Sequence, residues 1–331
     1  MRRKITMQDV ADMCGVTKST VSRYFNGGSM KEETRKKIKA IIDQYHYEPN
    51  TFAQSLKARK SKIIGIIAPC LDSTVSSRIL MSIDEYLRKH NYTSLIINTN
   101  HDDTLELKSM ESLWRMNVDG MILLATSVSE AHKAFLNKID IPFVFVGQQY
   151  EEGISIINND YEAGKMIGKY VRQQGFQDVV YVSVDEEDVA VGVNRKQGVL
   201  DGLSSDKKHH VKVLTADFSY SKTEVCMKQL LQEYHPEIII CATDKQALAT
   251  YKAVQDSGLH IPNDISIIGF GGYEVCSLIQ PRLTTVKFDN EKAGFLAAKT
   301  ILDLINKHTV DKVQIISYEF MEGDSVRKRG K

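Results

Sequence analysis

Tryptophan and proline are scarce in this chain, with one and six copies among 331 residues. No proline-rich or glycine-rich tract interrupts it, which excludes collagen-like and low-complexity architectures. Cysteine is sparse too. Cys14, Cys70, Cys226, Cys241 and Cys276 are odd in number, far apart, and form no Cys-x-x-Cys or Cys/His ligand spacing. That excludes a disulfide scaffold and a structural zinc site, and it fits reduced core thiols in a cytoplasmic protein. No apolar run approaches the ~18 residues of a membrane span, and the basic N-terminus lacks the apolar segment of an export signal. Also missing are a G-x-x-x-x-G-K-[ST] loop and a G-x-G-x-x-G between a strand and a helix, the phosphate cradles of nucleotide enzymes. No catalytic group, metal or cofactor is expected. Acids and bases nearly cancel, at a formal charge of +1.

That small total hides a segregation. Residues 1–62 carry 14 lysines and arginines against 6 acids, and the remainder carries 29 against 36. A basic module on an acidic body points to a polyanion partner for the first part and a separate task for the second. The length suggests two or three domains of roughly 150 residues. A hydrophobic share of 42% beside 26% charged residues is that of a soluble globular chain.

Residues 6–26, TMQDVADMCGVTKSTVSRYFN, read as two short helices about a tight turn. Thr6 is placed to cap the first, with Asp9 in the box position three residues on. Val10 and Ala11 begin an apolar face, and Gly15 supplies a permissive backbone for the turn. Val16 and Val21 can pack back on the first helix, leaving Lys18, Ser19 and Arg23 outward on the second. Such a helix fits the major groove, where Lys or Arg reaches guanine edges; an ordinary surface hairpin is the alternative. After Gly27-Gly28, Ser29 with Glu32 resembles a capping box for a third helix running to about Tyr45. Ile38, Ile41, Ile42 and Tyr45 give it an apolar stripe. Arg35, Lys36, Lys37 and Lys39 lie on its other face, solvated or on phosphates. Pro49 should end it. Residues 51–58, TFAQSLKA, make about two turns, too few to stand alone in water. With Asn50 as cap and Arg59, Lys60 and Lys62 alongside, they could order against a partner helix and DNA, Leu56 wedging the minor groove. A plain basic linker is the other reading.

GVTKSTVSRYFN, ETRKKI and YEPNTFAQSLKARKSKIIGIIAP, in that order and at that spacing, resemble the headpiece and hinge of the lactose-repressor (LacI/GalR) family of bacterial transcription regulators. The likeness continues over nearly the whole chain. It implies a homodimer on a pseudo-palindromic operator. It implies that Lys18, Ser19 and Arg23 read bases, that Thr6, Thr17, Ser22, Asn26 and Asn50 lie near phosphates, that Thr20 belongs to the same DNA-facing set, and that Ala53 and Leu56 enter the minor groove.

From residue 62 the pattern changes to apolar runs alternating with amphipathic stretches, the signature of parallel βα units. Runs at 63–68, 94–98, 120–125 and 143–147 are followed by a second series at 179–184, 211–214, 238–242 and 265–270. Helical patterns at 78–90, 105–116, 161–174, 222–234 and 244–258 separate them. GMILLATSVSEA and EIIICATDKQALA echo one another. Two doubly wound parallel-sheet subdomains facing each other are predicted, with ligand beyond the carboxyl ends of their strands. Those ends carry PCLDS, Ala125-Thr126, Gly147-Gln148-Gln149, CATD and GFGGY. This mixture of hydroxyls, amides, carboxylates and an aromatic suits a polyhydroxylated ligand. Arg195, at the start of a helix-like VNRKQGVLDGL, offers a forked cation. For each residue alone, a cap or loop role is as open as ligand contact.

The family resemblance sharpens this. NRKQGVL matches an Arg-x-x-Gly element whose arginine touches effector. CATDKQALA has Thr243 where Asn is common, and IIGFGGYE has Gly271 where an Asp often holds sugar hydroxyls. An acid is thus missing, which suits an anionic effector. The implied effector set is Leu71, Asp72, Ser73, Gln148, Arg195, Thr243, Asp244, Gly271 and Tyr273. LDS, CATD and GFGGY look most like the repressors of sucrose or trehalose operons, whose inducers are phosphorylated disaccharides such as sucrose-6-phosphate. Cys70, however, stands where those relatives have a basic residue. A corepressor-dependent regulator, an exported-type sugar binder and a sugar enzyme are the rival readings.

The resulting layout is an all-α helix-turn-helix headpiece (1–48), a hinge (49–61) and an α/β periplasmic-binding-protein-like sensor (62–331). The sensor's first subdomain takes about 62–159 and 289–316, its second about 160–288 with the C-terminal segment. Residues 289–307 form an amphipathic helix, and VDKVQIISYEFM returns as a strand. No leucine heptads follow, so a dimer rather than a tetramer is expected.

Overall fold

A computed structural model describes residues 5–25, 27–47, 60–204 and 209–328. The chain divides into two compact units, Met1–Lys62 and Ile63–Lys331.

In the first unit, α1 (Met7–Cys14) starts as its sequence demands. Thr6 Oγ1 accepts the Asp9 N–H at 3.2 Å while the Asp9 carboxylate accepts the Thr6 N–H at 2.8 Å. Gly15, left-handed at φ +66°, ends the helix. The helices α2 (Lys18–Phe25) and α3 (Glu32–Tyr45) close on it around Val10, Ala11, Val21 and Ile38, all fully buried. Two local expectations for α3 need correction. Ser29 does not cap it; Lys31 holds the extended N-cap position and makes no side-chain cap bond. Nor does Pro49 end it. His46 turns left-handed at φ +47° and the Tyr47 N–H reaches back to the Ile42 carbonyl, so the helix has already stopped.

In the second unit, β1 (Ile63–Ala68), β2 (Thr93–Asn98), β3 (Gly120–Leu124), β4 (Phe143–Val146) and β5 (Ile154–Asn158) build one sheet. A second is built by β6 (Asp178–Ser183), β7 (His210–Thr215), β8 (Ile238–Cys241), β9 (Ser266–Phe270) and β10 (Thr284–Phe288). The last strands, β11 (Val313–Ile316) and β12 (Tyr318–Met321), complete one sheet each, in the orders β11-β5-β4-β3-β1-β2 and β12-β10-β9-β8-β6-β7. All pairings are parallel except β10 with β12. The apolar runs of the inner strands are continuous because helices cover both faces; every residue of β3 and of β9 is buried, whereas the edge strands β2 and β7 are partly exposed.

The first sheet carries α4 (Thr74–Lys89), α5 (Asp103–Arg115) and α6 (Glu130–Leu136). The second carries α7 (Asp160–Gln173), α8 (Lys196–Leu203), α9 (Tyr220–Glu233), α10 (Asp244–Asp256) and the short α11 (Val275–Leu278). Then α12 (Asn290–Ile305) returns to the first, where Ala297 and Ile301 pack with Ile83 and Leu87 of α4 over Ile64 and Ile122.

The chain therefore crosses between halves at Asn159, Asp289 and Ser317. The third crossing corrects the reading of VDKVQIISYEFM as a single strand. Ile316 is the last residue paired to β5, and Tyr318 already pairs with Phe288 in the other sheet. The strands β5 and β10 were not anticipated, because Ser, Asn, Thr and Lys interrupt their apolar pattern.

Candidate nucleic-acid interface and ligand crevice

On α2, residues 18, 19, 22 and 23 share one face at helical spacing, opposite the buried Val21. Lys18, Ser19 and Arg23 are exposed, as are Thr6 and Thr17; Thr20 and Ser22 are half-buried. Thr17 sits just before the helix. Its Oγ1 accepts the Thr20 N–H at 3.3 Å and lies 2.8 Å from Ser19 Oγ and 2.9 Å from Thr20 Oγ1. These three hydroxyls are thus pre-arranged by one another at the positive end of the helix dipole. The long stem of Arg23 lies against Gly28, where a Cβ would come within 2.3 Å of Arg23 Cγ. On α3 the outward cations divide. Lys37 pairs with Glu33 at 2.9 Å, whereas Arg35 turns inward, donating to the Gly28 carbonyl at 3.2 Å and lying over the Tyr24 ring. Asn26, Asn50, Ala53 and Leu56 lie outside the described residues.

In the second unit the strand order reverses between β1 and β3 and again between β6 and β8. Ligands bind at such switch points. The loops beyond both sets of strand ends touch across the gap. Gln148 donates to Asp188 Oδ1 at 2.7 Å and accepts the Ala190 N–H at 3.2 Å. Lys245 Nζ stands 3.8 Å from Asp72, Arg78 bonds Glu274 at 2.7 Å, and the His101 and Phe218 rings stack at 6.3 Å. Of the expected effector residues, Asp72 and Gln148 take part in these cross-crevice contacts.

Their geometry is more occupied than the sequence suggests. Arg195 closes a π-helical segment (Val189–Arg195) and is buried. Its Nε and Nη2 donate to one oxygen of Asp160, at 2.9 and 2.5 Å, and its Nη1 to the Ala242 carbonyl at 2.5 Å. The guanidinium also lies 5.0 and 5.3 Å from the Phe270 and Phe288 ring centres. The fork expected to be open is engaged inside the protein. Burial pushes the Asp160 carboxyl up, against the pull of Arg195. Thr243 forms the capping box of α10 with Gln246. Asp244, buried, accepts the Thr285 hydroxyl at 2.5 Å and the Tyr273 N–H at 2.9 Å. Burial raises its carboxyl, and raises the Tyr273 phenol despite the nearby Ser73 hydroxyl. Ser73 itself caps α4, accepting the Ser76 N–H at 3.4 Å, and Leu71 and Asp72 are exposed at the mouth.

Gly271 has φ +153°, and a Cβ there would stand 2.7 Å from the Tyr273 ring and 3.0 Å from Asp244 Oδ2. The missing acid is thus a filled position. With Asp160 and Asp244 buried and Asp188 half-buried in the walls, the crevice is not poor in carboxylates. Gly271 alone therefore does not mark an acid-poor crevice. A cavity of about 120 Å³ floors the first half's side of the crevice, lined by Pro69, Ile79, Leu124, Val146 and Ala293.

Comparison with known proteins places this architecture. The sequence profile of bacterial regulatory proteins of the lacI family matches residues 6–50, and that of periplasmic binding proteins and the sugar binding domain of the LacI family matches residues 61–322. The chain belongs to the LacI family. Among its relatives, the sucrose operon repressor of Staphylococcus xylosus is 36% identical over 94% of this chain and 97% of its own length. Catabolite control protein A of the same organism is 28% identical over 94% and 96%. A crystal structure of the lac repressor dimer bound to operator and the anti-inducer ONPF superposes with a TM-score of 0.88 at 23% identity, covering 98% of this chain and 99% of that one. This LacI-family chain is a DNA-binding transcriptional repressor with a sugar-binding regulatory domain, not an enzyme. The residues that sequence reasoning missed are Asp160, Asp188, Phe218, Lys245, Thr285 and Phe288. Asp160, Thr285 and Phe288 belong to the buried wall behind the crevice, and Asp188, Phe218 and Lys245 make contacts across it.

Proposed function

We propose that this protein represses a sucrose-utilisation operon as a homodimer and leaves its operator when a sucrose-class disaccharide enters the crevice. The observation that carries this reading is the joint presence, in one chain 36% identical to a sucrose operon repressor, of a cationic recognition helix and a two-lobed crevice walled by hydroxyls, carboxylates and amides. Lys18, Ser19 and Arg23 read base edges, while Thr6, Thr17, Thr20 and Ser22 hold the backbone. Asn26, Asn50, Ala53 and Leu56 keep the roles inferred from their sequence. In the crevice, Leu71, Asp72, Ser73, Gln148, Thr243, Asp244, Gly271 and Tyr273 meet the sugar, with Arg195 holding the wall that carries them. Ligand that prefers one closure of the halves shifts the equilibrium by its difference in affinity, typically about 1–3 kcal/mol.

The carboxylate-lined walls favour a neutral disaccharide. Sucrose-6-phosphate has one observation on its side: Lys245 at the mouth, 3.8 Å from Asp72, a separation too long for a strong pair. The test is operator binding by mobility shift with sucrose, sucrose-6-phosphate and trehalose added separately. Release by free sucrose supports the neutral reading, and release by the phosphate alone transfers the role to Lys245. Tight operator binding that no sugar alters would overturn the effector assignment while leaving the DNA assignment in place.

A further inference from the structure

We propose that Arg35, on α3, positions Arg23 of the recognition helix through Gly28, and so sets the base preference at the operator position that Arg23 contacts without itself touching DNA. The proposal rests on the reading of Arg23 as a base-reading residue. The turn between α2 and α3 carries the argument. Gly27 is left-handed at φ +68°. Its N–H donates to the Tyr24 carbonyl at 3.3 Å, and the Gly28 N–H donates to the Arg23 carbonyl at 2.9 Å. That pair of bonds is the Schellman closure of a helix, and it ties Gly28 to the backbone of Arg23. Gly28 is also the floor on which the Arg23 stem lies, since a Cβ there would stand 2.3 Å from Arg23 Cγ and 3.2 Å from its Cδ. The position of the Gly28 backbone therefore limits the directions open to the Arg23 side chain.

Arg35 holds Gly28 from the other side. Its Nη2 donates to the Gly28 carbonyl at 3.2 Å, and its guanidinium carbon stands 5.8 Å from the ring centre of Tyr24, the residue next to Arg23. One planar fork thus joins the turn to the end of α2. The root of that fork is firm, because α3 packs through the fully buried Ile38 on Val10, Ala11 and Val21. Arg35 is half-buried, whereas Lys36, Lys37 and Lys39 on the same helix are exposed. Among the described residues no carboxylate pairs with it, while Lys37 is paired with Glu33. Its hydrogen bond and its ring contact both go to the segment that aims Arg23. The competing role for such a cation is a phosphate contact, which differs in kind: it would strengthen every sequence alike.

The test uses the full-length protein with a duplex that the parent enriches from a random-sequence pool, and with the single base-pair variants of that duplex. Fluorescence anisotropy gives the affinity for each. Arg23→Ala locates the base pair that Arg23 reads, as the position where the four bases become equal. Arg35→Met keeps the stem and removes the fork. It should lower discrimination at that position roughly threefold to tenfold and leave the other positions as in the parent. Arg35→Lys keeps the charge without the planar fork; it should return non-operator affinity to the parent's value but recover only part of the discrimination. With Arg23→Ala already present, Arg35→Met should change nothing further at that position. The proposal is overturned if Arg35→Met weakens all sequences by one factor, the outcome of a phosphate contact or of simple destabilisation, or if discrimination at the Arg23 position is unchanged. If Arg23→Ala equalises no position, the base-reading assignment and this proposal fall together. If it equalises one that Arg35→Met leaves intact, only this proposal falls.

Discussion

Arg23 reaches outward because its neighbour is a glycine. Its stem occupies the space where a residue 28 side chain would begin, and the Gly28 N–H donates to the Arg23 carbonyl at 2.9 Å. A bidentate contact to a base pair is worth about 1–3 kcal/mol of discrimination. Arg23→Ala should therefore lose that amount at one operator position and equalise the four bases there, as measured by titrating operator variants. Equal weakening on every sequence would reassign Arg23 to phosphate. Gly28→Ala, which touches no DNA, should reproduce part of the effect by displacing the stem. Asp188 gives a different residue-scale prediction. Burial raises its carboxyl above the ordinary 3.8, even though Val191 N–H and Gln148 donate to it. The folded state thus binds the proton more tightly than the unfolded chain. Its contribution is fully present below pH 3.8 and is lost as pH rises through the raised folded value. Asn in its place keeps an oxygen for both donors and removes the titration. The melting temperature of Asp188→Asn should exceed the parent's by a margin that widens from pH 4 to 7, and a constant margin would refute the assignment. At this scale the headpiece was legible from sequence, because Thr6, Asp9, Gly15 and Val21 act on near neighbours. Asp160 and Asp188 were not, because their partners lie 35 and 40 residues away and no local pattern announces them.

Among the elements, the inner strands of the parallel runs were legible nearly to the residue, since burial on both faces writes itself as an unbroken apolar word; the edge strands β2 and β7 are partly exposed and were legible only from shorter apolar runs. Where that condition lapses the reading lapses: β5 and β10 carry polar residues, and β11 and β12 merge in sequence because only tertiary pairing divides them at Ser317. The pairing of α7 with α8 was hidden in glycines. A Cβ on Gly198 would stand 2.1 Å from the Tyr161 carbonyl oxygen, and one on Gly168 would stand 2.2 Å from that of Val199. Both obstacles are backbone, so neither can swing away. The glycine of the Arg-x-x-Gly element is in this light a packing residue that seats Arg195 against Asp160. Gly198→Ala should destabilise the protein by at least about 1–3 kcal/mol and loosen the Arg195 wall. A thermal melt unchanged from the parent's would show that the helices can part without cost. The conservative control is Gly175→Ala, where no atom obstructs a Cβ but the φ of +78° still strains it.

The whole molecule separates its charge as it separates its tasks. The first 62 residues hold an excess of eight basic groups, from 14 against 6, and the body an acidic excess of seven, from 29 against 36. An acidic body repels the polymer that the headpiece attracts, so binding must run through the headpiece alone, and the field of the body confines it to that route. The body's own latches, Arg78 with Glu274 and Lys245 with Asp72, are partly solvated pairs worth about 0–1 kcal/mol each. They can be made and broken by a ligand of ordinary affinity, as a sensor that opens and closes requires. A chain of residues 63–331 should accordingly bind sugar and ignore duplex DNA even at low ionic strength. The full-length protein should bind non-operator DNA at low salt and lose it steeply; with about 6–10 phosphate contacts, affinity falls about 10³–10⁵-fold between roughly 50 and 200 mM salt. Fluorescence anisotropy over that range measures the slope. If the body alone retained salt-sensitive DNA binding, the division of labour written in the charge distribution would be wrong. A shallow slope in the full chain would mean that base contacts, with little help from the phosphates, hold the complex.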